Sequence, residues 1–305
     1  MTLNFAGPAA GSWIVEALEA PGLGAEAADQ VAGQVPSGYE AYVRIFHPAL
    51  GLDGEAVRWG KIAKGRGTTM HGAAQFSPVS GISEDGIALV HDAWEGEAPA
   101  GDGLPAEQLA AIAPILAAHT GNPEEIFLAL WNGLAFIHGG DQIEVLVDHD
   151  PELSDEENAA RHAAANAEAK RPAFSDEVRN GPVLHMGSGY RSYYVFEGTF
   201  EDLASPLWAR TSEGEQRQAP NLAWPADRAW LLSTELYEDS SIVAGSRALA
   251  DALLACADIE AHEVAIDTRL DLEGDSVNPM PVETEDDGED LGDGFGDFIE
   301  GEFTN

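Results

Sequence analysis

Positive charge is what this sequence has least of: three lysines, Lys61, Lys64 and Lys170, stand beside twelve arginines, and no basic residue follows Arg269. That poverty disfavours direct binding to DNA, RNA or an anionic membrane, because those ligands need clustered Lys and Arg to neutralise phosphates. A single cysteine, Cys256, rules out an intrachain disulfide, and its place on the apolar side of a predicted helix marks it as a small core residue. No apolar run approaches the length of a membrane span, and no basic N-terminal region precedes a signal-type hydrophobic stretch. A cytoplasmic protein is the expectation. Complete catalytic signatures are also missing: there is no HExxH, no phosphate-binding Gly-Lys-Ser/Thr loop and no Gly-x-Ser-x-Gly elbow, Gly187-Ser188-Gly189 being a turn ahead of a strand.

What the chain has in excess is acid. Against 15 Lys and Arg it carries 54 Asp and Glu, a formal net charge of −39. Only thirteen of those acids follow Arg269, so the charge is distributed along the chain and not confined to a tail. Such composition reads either as a solubility background or as a surface made to hold a basic protein partner or to imitate nucleic acid. The final DDGEDLGDGFGD has no register that places acids and Gly at the positions of a calcium loop, so it supports only weak, nonspecific cation binding.

Hydrophobic content of 44% is ordinary for a globular protein, and 305 residues suffice for a sizeable core. Alternation predicts a strand over 39–47, stopped by Pro48. Asp53 is read as the cap of a helix through Val57, Trp59 and Ile62 that ends at Gly65 and Gly67, and 87–90 as a short strand. A helix over 105–119, bent at Pro114, precedes a strand over 126–131 and the tight turn Asn132-Gly133; 143–147 continues the sheet. Residues 152–170 form a surface helix opened by a capping box of Ser154 and Glu157, with no apolar stripe wider than Ala. A strand returns over 190–200.

The clearest succession of signals lies in 218–254. Pro220 and Pro225 bracket an extended entry, and the mostly apolar run 228–237 reads as a strand. The acidic turn Glu238, Asp239, Ser240, Ser241 reverses the chain. Ile242 and Val243 start a return strand ended by Gly245, and Ser246 caps a helix through Leu254; 262–266 supplies one more short strand. WPADRAW, the strand ending in Thr234-Glu235, and the Gly245-Ser246 step into a helix resemble the C-terminal half of a group of uncharacterised actinobacterial proteins. The resemblance covers about 190–266, and FLALWNG at 127–133 fits the same group more loosely. It implies no activity, and the Ala-rich segment 152–172 and the acidic C-terminus depart from that pattern.

These readings give an α+β fold, a mostly antiparallel sheet with helices packed on one side. Its expected divisions are an N-terminal region over 1–150, a helical insertion or linker over 151–185, a C-terminal region over 186–270 and a disordered acidic tail over 271–305. Candidate catalytic groups are Asp227 and Glu235, flanking a strand, and His149 in the Asp148-His149-Asp150 turn; candidate binding residues are Arg228, Trp224, Trp230, Glu238 and Asp239. An Arg228 or Arg247 folded against these acids makes either a charged pocket or a structural ion pair. None of the nine histidines has metal-ligand pair spacing, and neither metal nor cofactor is implied. The functional expectation is a non-enzymatic interaction protein for a basic partner; the alternative is a hydrolase with a carboxylate site near the C-terminal hairpin.

Overall fold

The computed structural model describes residues 3–19, 25–83, 85–139, 147–186, 191–211, 214–236 and 238–281. The first part of the chain forms β1 (Asn4–Phe5), α1 (Ser12–Leu18), α2 (Val31–Gln34), β2 (Ala41–Phe46), β3 (Ala49–Leu50), β4 (Ala56–Val57), α3 (Trp59–Arg66) and α4 (Phe76–Ser80). The middle forms α5 (Ala106–Ala118), β5 (Ile126–Trp131), α6 (Ala135–His138), α7 (Asp155–Ala169), α8 (Asp176–Arg179) and β6 (Leu184–Met186). The last part forms β7 (Arg191–Gly198), α9 (Phe200–Ala204), β8 (Ala209–Thr211), β9 (Gly214–Gln216), β10 (Leu222–Pro225), β11 (Leu231–Ser233), β12 (Ser240–Gly245), α10 (Arg247–Leu254) and β13 (Glu260–Val264).

Nine strands build one antiparallel sheet in the order β1-β7-β5-β10-β11-β12-β2-β13, with β6 also paired to β7. The α+β class read from the sequence is therefore the fold. Strands from before residue 150 and after residue 186 alternate in this sheet: β5 lies between β7 and β10, and β2 between β12 and β13. The segment 151–185 contributes α7 and α8 outside the sheet and, at its end, the first residues of β6 within it, and α7 buries none of its residues.

Strand periodicity sorts the side chains onto two faces. One face carries Val43, Ile45, Leu128, Leu130, Tyr194, Phe196 and Val243 and packs against Leu109, Ile112 and Leu116 of α5, Leu203 of α9, and Leu249 and Leu253 of α10. The other carries Tyr42, Ala129, Tyr193, Val195, Leu222, Trp224 and Ile242 and packs against Ile14 of α1 and Val31 of α2. The helices expected on one side are thus α5, α9 and α10, while short N-terminal helices cover the second face. Because both faces are buried, central strands such as β2 and β12 are buried at every position and show no polar alternation. A third cluster, Phe46, Trp59, Ile62, Phe76, Val79 and Ile82, forms a lobe around α3 and α4.

Several element boundaries differ from the sequence reading. Asp53 does not cap α3; the helix starts at Trp59, where the carboxylate of Glu260 on β13 accepts from the Gly60 N–H at 2.8 Å and substitutes for a local cap. The expected strand at 87–90 is reduced to a bridge between Ile82 and Ala88. Capping of α7 by Ser154 and Glu157, and of α10 by Ser246, follows the sequence signals. Cys256 is half-buried against the core.

The tail expected to be disordered from residue 271 begins with ordered chain. Leu272–Gly274 form a 3-10 turn, and Asp275 and Asn278 are buried, because their side chains bond into the loop before α4. Residues 282–305, most of the expected strand 143–147 and the Gly187-Ser188-Gly189 turn lie outside the described residues.

Candidate functional site

The sequence-selected residues do not form one site. Asp227 closes the corner between β10 and β11: its Oδ1 accepts from Thr120 Oγ1 at 2.8 Å and from the Ala229 N–H at 3.1 Å, and its Oδ2 accepts from the Gly121 N–H at 2.7 Å. Arg228, beside it, is left-handed at φ 58, its guanidinium lies 5.1 Å from the Trp13 ring, and its carbonyl accepts from the Tyr39 hydroxyl at 3.1 Å. Burial first, and the neighbouring Tyr42 second, push the Tyr39 pKa up to about 12, against the charge of Arg228. Trp224 stacks on Phe127 within the second face, and Trp230 donates its indole N–H to the Leu116 carbonyl at 3.0 Å. Both indoles are buried, so they build the core and offer nothing to a ligand.

Glu235 lies at the opposite end of β11 from Asp227, so the two proposed catalytic carboxylates do not converge. Glu235 is 5% exposed; it accepts from the Tyr193 hydroxyl at 2.6 Å and pairs with Arg191 at 2.9 Å. Burial pushes both the Glu235 carboxyl and the Tyr193 hydroxyl upward, and Arg191 opposes each shift. This is a structural pair in which every strong acceptor is used. His149 pairs with neither acid; it is exposed just ahead of α7 and 3.6 Å from Asp155. Arg247 pairs with Glu263 and Asp251, not with the hairpin acids. Among the described residues no group of three or more His, Cys, Asp and Glu converges in a way that could hold a metal ion, and no helix is long and apolar enough to cross a membrane.

Glu238 and Asp239 are brought together, on the wall of a cleft of about 480 Å³. One side of the cleft is the start of α4 (Gln75, Phe76, Ser77) with Ser83; another is Ala98 and Pro99; a third is the C-terminal segment Leu270, Asp271, Leu272 and Glu273. Among the described residues four carboxylates line it and no Lys or Arg does.

Three of those carboxylates have partners. Asp239 pairs at 3.1 Å with Arg44, a fully buried guanidinium in the middle of β2. Arg44 also donates to Ser240 Oγ at 2.8 Å and to the carbonyls of Ala74 at 2.9 Å and Gly72 at 3.2 Å. Its rigid fork thereby joins β2, the hairpin turn and the loop before α4. Gly72 is required there, since a Cβ would stand 2.7 Å from the Glu263 carbonyl of edge strand β13. Asp271 and Glu273 both pair with Arg269. The carboxylate of Glu238 has no hydrogen bond or ion pair to any described residue; burial first, and Asp239 second, push its pKa upward, against Arg191 and Arg44.

A second polar cluster adjoins the cleft. Asp275 Oδ1 accepts from His71 Nε2 at 2.8 Å and from the N–H groups of Val277 and Asn278; its Oδ2 accepts from the Gln75 N–H at 3.1 Å and from Asn278 Nδ2 at 2.8 Å. Burial acts to raise the Asp275 pKa, but the bonds from Asn278, His71 and Gln75 outweigh it and hold the carboxyl below its usual range. A histidine held by a buried carboxylate is a general-base arrangement in outline. Here the other ring nitrogen, Nδ1, accepts from the Ala73 N–H at 3.3 Å, so both nitrogens are engaged and the pair serves as a clasp.

Sequence reasoning missed Arg44, Asp271, Glu273 and Asp275. A charged residue in the middle of the otherwise apolar AYVRIF strand was the available signal for Arg44. The three acids were submerged in the charge of the tail. No protein-family model, curated protein or solved structure matches this chain.

Proposed function

We propose that the chain is a non-enzymatic, cytoplasmic interaction protein that binds a basic protein partner, with the cleft at Glu238 and Asp239 receiving a Lys or Arg side chain. The observation that carries this reading is a cleft lined by four carboxylates, three of them held from behind by Arg44 or Arg269, while the carboxylate of Glu238 has no partner among the described residues. A half-buried, unpaired carboxylate raises the free energy of the empty cleft, and a cation seated beside it removes that cost. Phe76 and Leu272 supply apolar wall for the methylene stem of such a side chain, and Gln75, Ser77 and Ser83 supply polar groups for its head. The acidity of the whole chain steers a basic partner toward this surface.

The test is calorimetric titration of the full-length protein with a hexa-arginine peptide and with a hexa-serine control at two salt concentrations. Saturable 1:1 binding of hexa-arginine that weakens with salt, with no binding of hexa-serine, supports the reading. Equal responses to the two peptides exclude it.

A hydrolytic reading has one specific observation in its favour: Glu238, whose carboxyl pKa burial raises, adjoins Asp239, which is paired with Arg44, and two carboxyls in contrasting environments are the pattern of an acid–base pair. Asp239 is already committed to a guanidinium, so the binding reading fits the geometry better. Hydrolysis of a chromogenic ester or glycoside that disappears in Glu238→Gln would reverse that order.

A further inference from the structure

The C-terminal segment that supplies one wall of the cleft is held in a manner unlike the rest of the molecule. Leu270 donates its N–H to the Asp29 carbonyl at 2.8 Å, and Arg269 bridges back to Gln30. Beyond that point the segment is fastened by polar groups: Asp275 gathers His71, Gln75 and Asn278, while Asn278 both accepts from the Thr69 N–H at 2.8 Å and donates to the Thr69 carbonyl at 3.0 Å. Leu270 packs against the second-face core, but past it the apolar side chains are largely uncovered, with Leu272, on the rim of the cleft, 39% and Val277 54% exposed. A segment with many hydrogen bonds to one side chain and little apolar burial opens at a fraction of the global unfolding free energy, and does so as a unit.

That unit is also where two of the four cleft carboxylates reside. Asp271 and Glu273 face the cleft only while the chain from 270 to 278 is docked, and Glu238 and Asp239 stand on the sheet side of the gap. We propose that residues 270–278 form a latch on the acidic cleft: Asp275 and Asn278 fasten it to the loop before α4, and a cationic guest that bridges Glu238 to the Asp271–Glu273 wall holds it closed. This rests on the binding reading above and adds to it that guest binding and latch docking are coupled. Coupling of this kind is reciprocal, so whatever loosens the latch weakens the guest, and the guest protects the latch.

The experiment is hydrogen exchange by mass spectrometry on the full-length protein, with and without saturating hexa-arginine, together with peptide affinity, for the unmodified chain and for Asp275→Asn, Asn278→Ala and Glu238→Gln. The amides of Leu270, Val277 and Asn278 are the reporters, since their acceptors lie on Asp29 and Asp275. In the unmodified chain hexa-arginine slows their exchange. Asp275→Asn speeds it and weakens the peptide about fivefold, an effect of the size of one lost polar anchor. Asn278→Ala, which keeps every charge, shifts both quantities in the same direction and decides the matter if Asp275→Asn fails to fold. Glu238→Gln weakens the peptide without speeding exchange of the free latch. If the latch variants exchange faster yet bind hexa-arginine as tightly as the unmodified chain while Glu238→Gln does not, the latch is overturned and the cleft stands. If Glu238→Gln binds normally, the cleft reading itself fails and the latch falls with it.

Discussion

The two ends of strand β11 carry acids of similar sequence context and opposite fate. At the Asp227 end, three donors from two segments satisfy both carboxylate oxygens, and the corner is complete. At the Glu238–Asp239 end, one carboxylate binds a buried arginine and its neighbour binds nothing, beside a cleft of about 480 Å³. An acid in a turn is therefore not informative in itself. What distinguishes a structural acid from a receptive one is whether the surrounding backbone and side chains already supply its donors.

The largest effect expected from breaking this comparison is at Arg44, the guanidinium on which the cleft end is built. Arg44→Ala removes four polar contacts and leaves Asp239 without its cation, with a cost of about 3–5 kcal/mol read as a large fall in the urea midpoint. Glu235→Ala comes next: Tyr193 loses its acceptor and Arg191 its partner, at a cost of about 1–3 kcal/mol by the same denaturation. At the closed end, Asp227→Ala costs about 1 kcal/mol, the value of a lost turn cap, and leaves peptide binding alone. Glu238→Gln sharpens the contrast from the other side. Its stability is unchanged or slightly raised above the carboxyl pKa, because the unmodified group is disfavoured in its charged form in the folded state.

Acid separates the latch from the rest of the cleft. The folded-state pKa of Asp275 is depressed, so its contribution to stability is fully present above the ordinary aspartate value and is lost as pH falls through the lower folded value. Faster exchange at Val277 and Asn278 is thus expected below about pH 4, the ordinary aspartate range. His47 shows the reverse case on the opposite face: burial first, with Arg44 adding to it, pulls its pKa down to about 3, and it stays neutral beside Ser241 throughout the ordinary pH range.

How much of this was legible in the sequence depended on the distance between partners along the chain. Ser154 with Glu157 and Ser246 with Leu249 are three residues apart, and both caps could be read directly. The strands were legible in outline because runs such as YVRIF and FLALW are too apolar to lie outside a core. The cleft was not legible, because it is assembled from distant pieces: Asp239 meets Arg44 across 195 positions and Asp275 meets His71 across 204. Composition also misled at the C-terminus. Asp275 and Asn278 sit in a stretch whose charge reads as unstructured, yet each is buried by bonds that a residue count cannot reveal. Glu238 and Asp239 were selected for their place in a turn; the same reasoning selected Asp227, and only the donors around them tell the two apart.

The measurement that tests the central claim most directly sets the two ends against each other at equal charge: hexa-arginine affinity, at fixed salt, for Glu238→Gln and for Asp227→Asn. Each variant removes one negative charge from a chain of net charge −39. If the cleft receives a cationic side chain, Glu238→Gln weakens binding about tenfold, some 1.4 kcal/mol, and Asp227→Asn changes it by less than about twofold. Equal weakening by the two variants would contradict the account, since the peptide would then be responding to net charge and not to a site.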